Sequence, residues 1–221
     1  MKKMNNIFSC GQYNNMVTIV SIAVTVLSVI QSFRSNCRAK REHKKREDAE
    51  RALNSITWDD MRNASEKIAK KLIKTYQPAV IYIPNIKSGI MLQFIRNYFK
   101  EYIPVIVGQA VSKEYFLKDA NSKIRGIDNY WYVNTKKWHT YIPNILLEYK
   151  EQNILILDNL SLTGNFFSII TDKLVEEGIP RNHIATACIA TTEAAIADNT
   201  APQYYYKILA NSKTVYMPWG H

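Results

Sequence analysis

The stretch that decides the reading of this chain is Ile154-Leu155-Ile156-Leu157-Asp158-Asn159-Leu160-Ser161-Leu162-Thr163-Gly164-Asn165. Its four leading aliphatic residues fit a strand buried on both faces, as in the middle of a parallel sheet. The chain then turns polar, passes Thr163-Gly164 and enters a helical pattern at Asn165-Phe166-Phe167. A strand, a glycine-containing loop and a helix start can cradle phosphate, because loop amides and the positive helix end converge there. Gly164 would let the backbone approach an oxyanion closely. Asp158 stands at the strand's carboxyl end, where open α/β sheets bind ligands, and can accept from sugar hydroxyls. The plain alternative is a buried strand followed by an ordinary loop.

A second unit of the same kind lies upstream. Ala79-Val80-Ile81-Tyr82-Ile83 reads as a short buried strand and runs into Pro84-Asn85-Ile86-Lys87-Ser88-Gly89. Ile90, Met91, Phe94, Ile95 and Tyr98 then restart a helical stripe. Before that strand, Thr57-Trp58-Asp59-Asp60 reads as a helix start with a hydroxyl cap and an acid three residues on. Met61, Ala64, Ile68, Leu72 and Tyr76 give this helix one apolar stripe, ending before Pro78. After the central motif a helix runs to Gly178, residues 184–189 form another buried strand, and residues 204–208 and 214–217 form shorter ones. This alternation predicts an α/β domain over residues 55–221, a parallel sheet with helices on both faces.

Residues 109–143 are the least regular part. They hold Arg125, Lys136, Lys137, His139 and an aromatic cluster of Tyr130, Trp131, Tyr132, Trp138 and Tyr141. Residues 130–133 and 138–141 flank Asn134-Thr135-Lys136-Lys137 as a hairpin. Such a segment serves as a lid over a site, with His139 assisting, or as a contact between two copies in a homo-oligomer.

The central stretch resembles the phosphoribosyl-pyrophosphate (PRPP) signature of type I phosphoribosyltransferases. That signature is a hydrophobic run, a pair of acids, a variable spacer, Thr-Gly and a small hydroxyl residue. The resemblance implies that Asp158 holds ribose hydroxyls and serves Mg2+. It implies equally that Ser161, Leu162, Thr163, Gly164 and Asn165 wrap the 5′-phosphate. Two positions depart from the pattern: the second acid is Asn159, and Phe166 replaces the late hydroxyl residue. Asn159 cannot supply a second negative charge near a ribosyl cation, and Phe166 removes one phosphate donor. Pro84, Lys87, Ser88 and Gly89 are similar to the family's pyrophosphate loop, with one inserted residue and Ser88 in place of a glycine. The catalytic set implied is thus Asp158, Asn159 and Lys87, with Ser88 and Gly89 lining the pyrophosphate site. The tail, Pro202-Gln203-Tyr204-Tyr205 and Val215-Tyr216-Met217-Pro218-Trp219, resembles members acting on purine bases such as xanthine. Gln203 there replaces an acid, and Gly220-His221 replaces a final glutamate. Tyr216 or Trp219 would stack on the nucleobase, or else pack the edge of the fold.

Nothing in the resemblance accounts for the amino-terminal part. Of the net charge of +10 in 221 residues, +6 falls on residues 1–54, so the basic pI belongs largely to this arm. A nucleic-acid-binding face is not expected. Residues 4–33 carry no charge, and the apolar run at residues 16–30 with its neutral flanks just reaches the roughly 20 residues that span a bilayer. A membrane helix over about residues 14–33 is expected; a cleaved signal peptide or a buried helix is the alternative. Arg34, Arg38, Lys40, Arg41, Lys44, Lys45 and Arg46 follow at once, which orients the anchor with the carboxyl-terminal domain in the cytoplasm. Residues 34–54 read as a basic helical linker. Cys10, Cys37 and Cys188 lie far apart, with neither metal spacing nor a disulfide framework.

Three classes of function follow. The first is a membrane-tethered phosphoribosyltransferase that moves ribose 5-phosphate between pyrophosphate and a nucleobase, with Mg2+. The second is a nucleotide sensor that kept the phosphate cradle and lost turnover. The third is a membrane-associated effector, defensive or toxic, whose domain serves assembly.

Overall fold

The computed structural model describes residues 10–113, 129–210 and 215–219, with side chains from residue 29 onward. The chain divides into two compact units, Met1–Ala52 and Leu53–His221. Helix α1 (Cys10–Leu53) accounts for the described part of the first. Along its exposed, charged stretch Arg38 pairs with Glu42 at 3.6 Å and His43 with Glu47 at 3.5 Å, one helical turn apart. Among the described residues no helix is long and apolar enough to cross a membrane. Most of the expected span, residues 14–28, lies outside the described side chains.

The second unit opens with α2 (Trp58–Thr75), whose first turn is closed reciprocally. The Asp60 N–H donates to the Thr57 hydroxyl at 3.0 Å, and the Thr57 N–H donates to the Asp60 carboxylate at 3.0 Å. Met61, Ala64, Ile68 and Leu72 are all buried, so the stripe read from the sequence is the packed face. The chain continues through β1 (Val80–Ile83), α3 (Gly89–Arg96), β2 (Val105–Val107), β3 (Gln109–Ser112), β4 (Tyr130–Asn134) and β5 (Trp138–Pro143). It ends with β6 (Ile154–Ser161), α4 (Asn165–Glu176), β7 (Ile184–Thr192), α5 (Glu193–Ala197) and β8 (Lys207–Leu209).

Five strands form one parallel sheet in the order β2-β1-β6-β7-β8. Both faces are covered, which is why β6 opens with four aliphatic residues and β7 is buried throughout. Ile81, Ile83, Leu155, Leu157 and Ala187 pack with residues of α2 and α3. Val80, Tyr82, Ile154, Ile156 and Cys188 pack with Phe167, Ile170 and Leu174 of α4 on the other face. The expected α/β architecture, a parallel sheet between two helical layers, is the one found.

The described parts of the region read as irregular, residues 109–113 and 129–143, form regular strands. The hairpin of β4 and β5 forms, and β3 joins it in an antiparallel sheet of order β3-β5-β4. Gln109-Ala110-Val111-Ser112 carries too little hydrophobic alternation to announce a strand; pairing with β5 makes it one. Arg125 lies outside the described residues. The strand expected at residues 204–208 shrinks to β8 plus an isolated bridge from Tyr204 to Ala187. That expected at residues 214–217 is a single bridge from Tyr216 to Ser55, with Thr214 outside the described residues.

Candidate functional site

The strand order itself marks a place for a ligand. From β1 the chain goes to β2 on one side, then returns to β6 on the other and continues outward through β7 and β8. The helices that follow β1 and β6 leave on opposite faces, so the carboxyl ends of these two neighbours part around a crevice. The loops at residues 84–89 and 161–165 border it.

Asp158 is the carboxylate at this junction. It lies inside β6, which runs on to Ser161, and not at the strand's carboxyl end as the sequence suggested, because β7 pairs with the residues beyond it. Its Oδ1 accepts from the Ser88 hydroxyl at 2.7 Å and from the Asn159 N–H at 2.7 Å. Both donors use one oxygen, which leaves Oδ2 for another partner. Ser88, which stands where the family pattern has a glycine, therefore ties the first loop to the second strand, as no glycine side chain could. Asn159 donates from Nδ2 to the Lys87 carbonyl at 2.9 Å, a second tie between the same two segments. Asn85 is a site residue that the sequence reading passed over. Its Oδ1 accepts from the Lys87 N–H at 2.9 Å and the Ser88 N–H at 3.3 Å, capping the short turn Ile86–Ser88. An asparagine before a turn is the signal that could have found it. Lys87 is exposed, and its ammonium has no acidic partner among the described residues.

The second loop is held from behind by three threonines. Thr191, Thr192 and Thr200 donate their hydroxyls to the carbonyls of Ser161, Leu162 and Thr163. Across a planar trans peptide the N–H points opposite to the C=O, so the amides of Leu162, Thr163 and Gly164 face away from these threonines. Gly164 is in the left-handed region, φ 71°, and leads into α4, which has no side-chain cap. A side chain on Gly164 would meet the Thr200 carbonyl oxygen at 1.9 Å. Thr200 thus requires a glycine here. Ser161 is buried and its hydroxyl has no partner among the described residues; Asn165 is exposed at the first turn of α4. Phe166 packs against the α4-side core instead of offering a hydroxyl.

Burial pushes the Asp158 carboxyl above the usual carboxylate range, against the lowering effect of the Ser88 and Asn159 hydrogen bonds. Cys188 stands opposite Asp158 on β7, and burial followed by the Asp158 charge pushes its thiol well up. Tyr82 is shifted upward by the same two causes in the same order. Thiol and phenol are accordingly neutral neighbours of the carboxylate, with no tendency to act as nucleophiles.

The other expected site residues lie elsewhere in the described contacts. Trp219 meets the Trp58 ring at 5.9 Å, and Trp58 meets Phe94 at 6.2 Å, so the tail packs at the start of α2. Tyr216 is held there by backbone bonds to Asn54 and Ile56. Either ring reaches a base only through surface left over from that packing. His139 stacks on Tyr132 at 5.7 Å within the small sheet. Among the described residues no three His, Cys, Asp or Glu side chains gather as a metal cluster. Asp158 alone fits a magnesium ion that takes its remaining oxygens from water and phosphate.

No protein-family model matches the chain, and no curated protein matches it. Among solved structures it is similar to a hypothetical protein from Neisseria gonorrhoeae with bound ppGpp, at 13% identity over 76% of this chain and 89% of that one, TM-score 0.51. It is also similar to a purine phosphoribosyltransferase from Pyrococcus horikoshii, at 18% identity over 76% and 93% of the two chains, TM-score 0.49. A xanthine-guanine-hypoxanthine phosphoribosyltransferase from Helicobacter pylori matches at 12% identity over 76% and 93%, TM-score 0.48. At such identities the likeness is one of fold, and the Neisseria structure carries it.

Proposed function

We propose that the Leu53–His221 unit binds a phosphorylated ribose, PRPP or a nucleotide, between β1 and β6 and transfers phosphoribose to or from a nucleobase. The observation that carries this reading is Asp158 at the switch point, with one carboxylate oxygen unused beside a loop whose carbonyls are turned away. In the forward direction a base nitrogen forms a bond to C1′ of the ribose as the C1′–O bond to pyrophosphate breaks. The electron pair of that bond leaves with the pyrophosphate. Asp158 accepts from ribose hydroxyls and fixes the sugar. The amides of residues 162–165 hold the 5′-phosphate. Lys87 and the loop beside it take the pyrophosphate charge. Magnesium held on Asp158 would supply further charge stabilisation to the departing group.

A second reading, nucleotide binding without turnover, is favoured by Asn159 and by the ppGpp held in the Neisseria protein. One titration separates the two. The full chain should bind PRPP and release pyrophosphate when purine or pyrimidine bases are offered with Mg2+. Binding of PRPP, GMP or ppGpp without release supports the second reading, and no binding of any of them overturns both.

The first unit is proposed to anchor this domain to a membrane, with the domain on the cytoplasmic side. The support is the uncharged stretch at residues 4–33 and the basic block behind it. Membranes bearing the protein should retain it through an alkaline carbonate wash. Release into the wash would sink the anchor.

A further inference from the structure

We infer that Asn159 is a positioning residue that locks the Lys87–Ser88 peptide, through a hydrogen bond that an ionised acid at this position could not donate. The inference deepens the function proposed above, yet the bond it concerns is independent of any ligand. Asn159 is buried, 7% exposed, and its Nδ2 lies 2.9 Å from the Lys87 carbonyl oxygen. The amide can be oriented only this way, because the reverse would set Oδ1 against another acceptor. On the other side of the same peptide, the Ser88 N–H donates to the Asn85 carbonyl at 3.1 Å and to Asn85 Oδ1 at 3.3 Å. The peptide is planar, so gripping its C=O and its N–H from opposite sides leaves it one orientation. The Ser88 hydroxyl, bound to Asp158 at 2.7 Å, fixes the residue that follows.

This grip bears on the position that departs from the family pattern. Seen from the sequence, Asn159 is a missing charge. In the structure an ionised aspartate would bring a carboxylate oxygen against the Lys87 carbonyl in a buried setting, with no proton between them. The loop would turn away, carrying the Lys87 side chain and the Ser88 amide with it. Asn159 Oδ1 is itself buried, with no partner among the described residues. The side-chain nitrogen thus serves the loop, while the oxygen is enclosed by the protein.

The test combines Asn159→Asp, Asn159→Ala and wild type in the full chain. Amide hydrogen exchange at Ser88 should be slow in wild type. It should be at least about tenfold faster in both variants, while amides of β6 and β7 keep their protection. Affinity for inorganic pyrophosphate should fall about tenfold in both, and the alanine variant shows that added charge is not the cause. Affinity for ribose 5-phosphate, which lacks the pyrophosphate proposed to lie on the Lys87 loop, should change less. Fast exchange at Ser88 in wild type overturns the inference, as does an Asn159→Asp protein that binds pyrophosphate as well or turns over faster. Should Asn159→Asp fail to fold, Asn159→Ala decides by the same measurements. If wild type binds no pyrophosphate, the proposed function falls, and the exchange rates alone decide whether Asn159 holds the peptide.

Discussion

Gly164→Ala is expected to unfold the protein at temperatures where wild type is stable. The residue sits at φ 71°, and a Cβ there would lie 1.9 Å from the Thr200 carbonyl oxygen and 2.5 Å from its carbon. Backbone atoms cannot swing aside as a side-chain tip would. The Thr200 hydroxyl is bound to the Thr163 carbonyl at 2.7 Å, so moving Thr200 also breaks the tie that shapes the loop. A strained dihedral plus a backbone clash should cost about 4 kcal/mol, and for a domain of this size melting should fall by about 10 °C. Gly178→Ala is the control. Its φ of 97° is equally left-handed, but nothing lies within 4 Å, so only the dihedral cost of about 1–2 kcal/mol applies. Thermal melts of the three proteins check this, and equal melting of the two variants would show that the Thr200 contact carries no weight.

Asp158→Asn should separate binding from stability. The amide oxygen can still accept from Ser88 and from the Asn159 N–H, so the local geometry is kept. The charged acceptor for ribose hydroxyls is gone, and affinity for a phosphoribosyl ligand should drop about a hundredfold. Stability should move the other way. Burial raises the Asp158 pKa in the folded protein above its unfolded value. Stability linked to this proton is therefore full below the unfolded pKa and is lost as pH rises through the raised, folded one. Asparagine does not titrate. The variant should gain on wild type as pH climbs above 3.8 through that window, and keep the gain at neutral pH. Melting curves at pH 4 and pH 7 with a matched binding titration read both effects. A variant that melts lower at pH 7 than wild type, or binds as tightly, contradicts this account.

What the sequence alone determined is everything that depends on a residue and its near neighbours. The Ile154–Leu157 run, four aliphatic residues bounded by polar turn residues, fits a strand covered on both faces, and it is one. Thr57 and Asp60 cap a helix across three residues, and the stripe from Met61 to Leu72 faces a core whatever that core is. The place of Lys87 and Ser88 in a strand–helix loop could be read in the same way, but the strand end could not: β6 runs past Asp158 to Ser161 because β7 keeps pairing with it. Tertiary structure decided what these residues touch. Ser88 meets Asp158 across 70 residues of chain only because β1 and β6 are neighbours, a fact of strand order that no periodicity encodes. Thr191, Thr192 and Thr200 hold the phosphate-type loop from 30 to 37 residues away, and nothing in their own surroundings marks them for it. The same holds for the two meanings of a residue type at the site. Asn159 reads as a lost charge until the Lys87 carbonyl appears beside it, and the need for a glycine at position 164 shows only when Thr200 is seen against it. Local pattern fixes which backbone a segment adopts; hydrogen bonds and contacts between loops depend on the order in which the sheet assembles them.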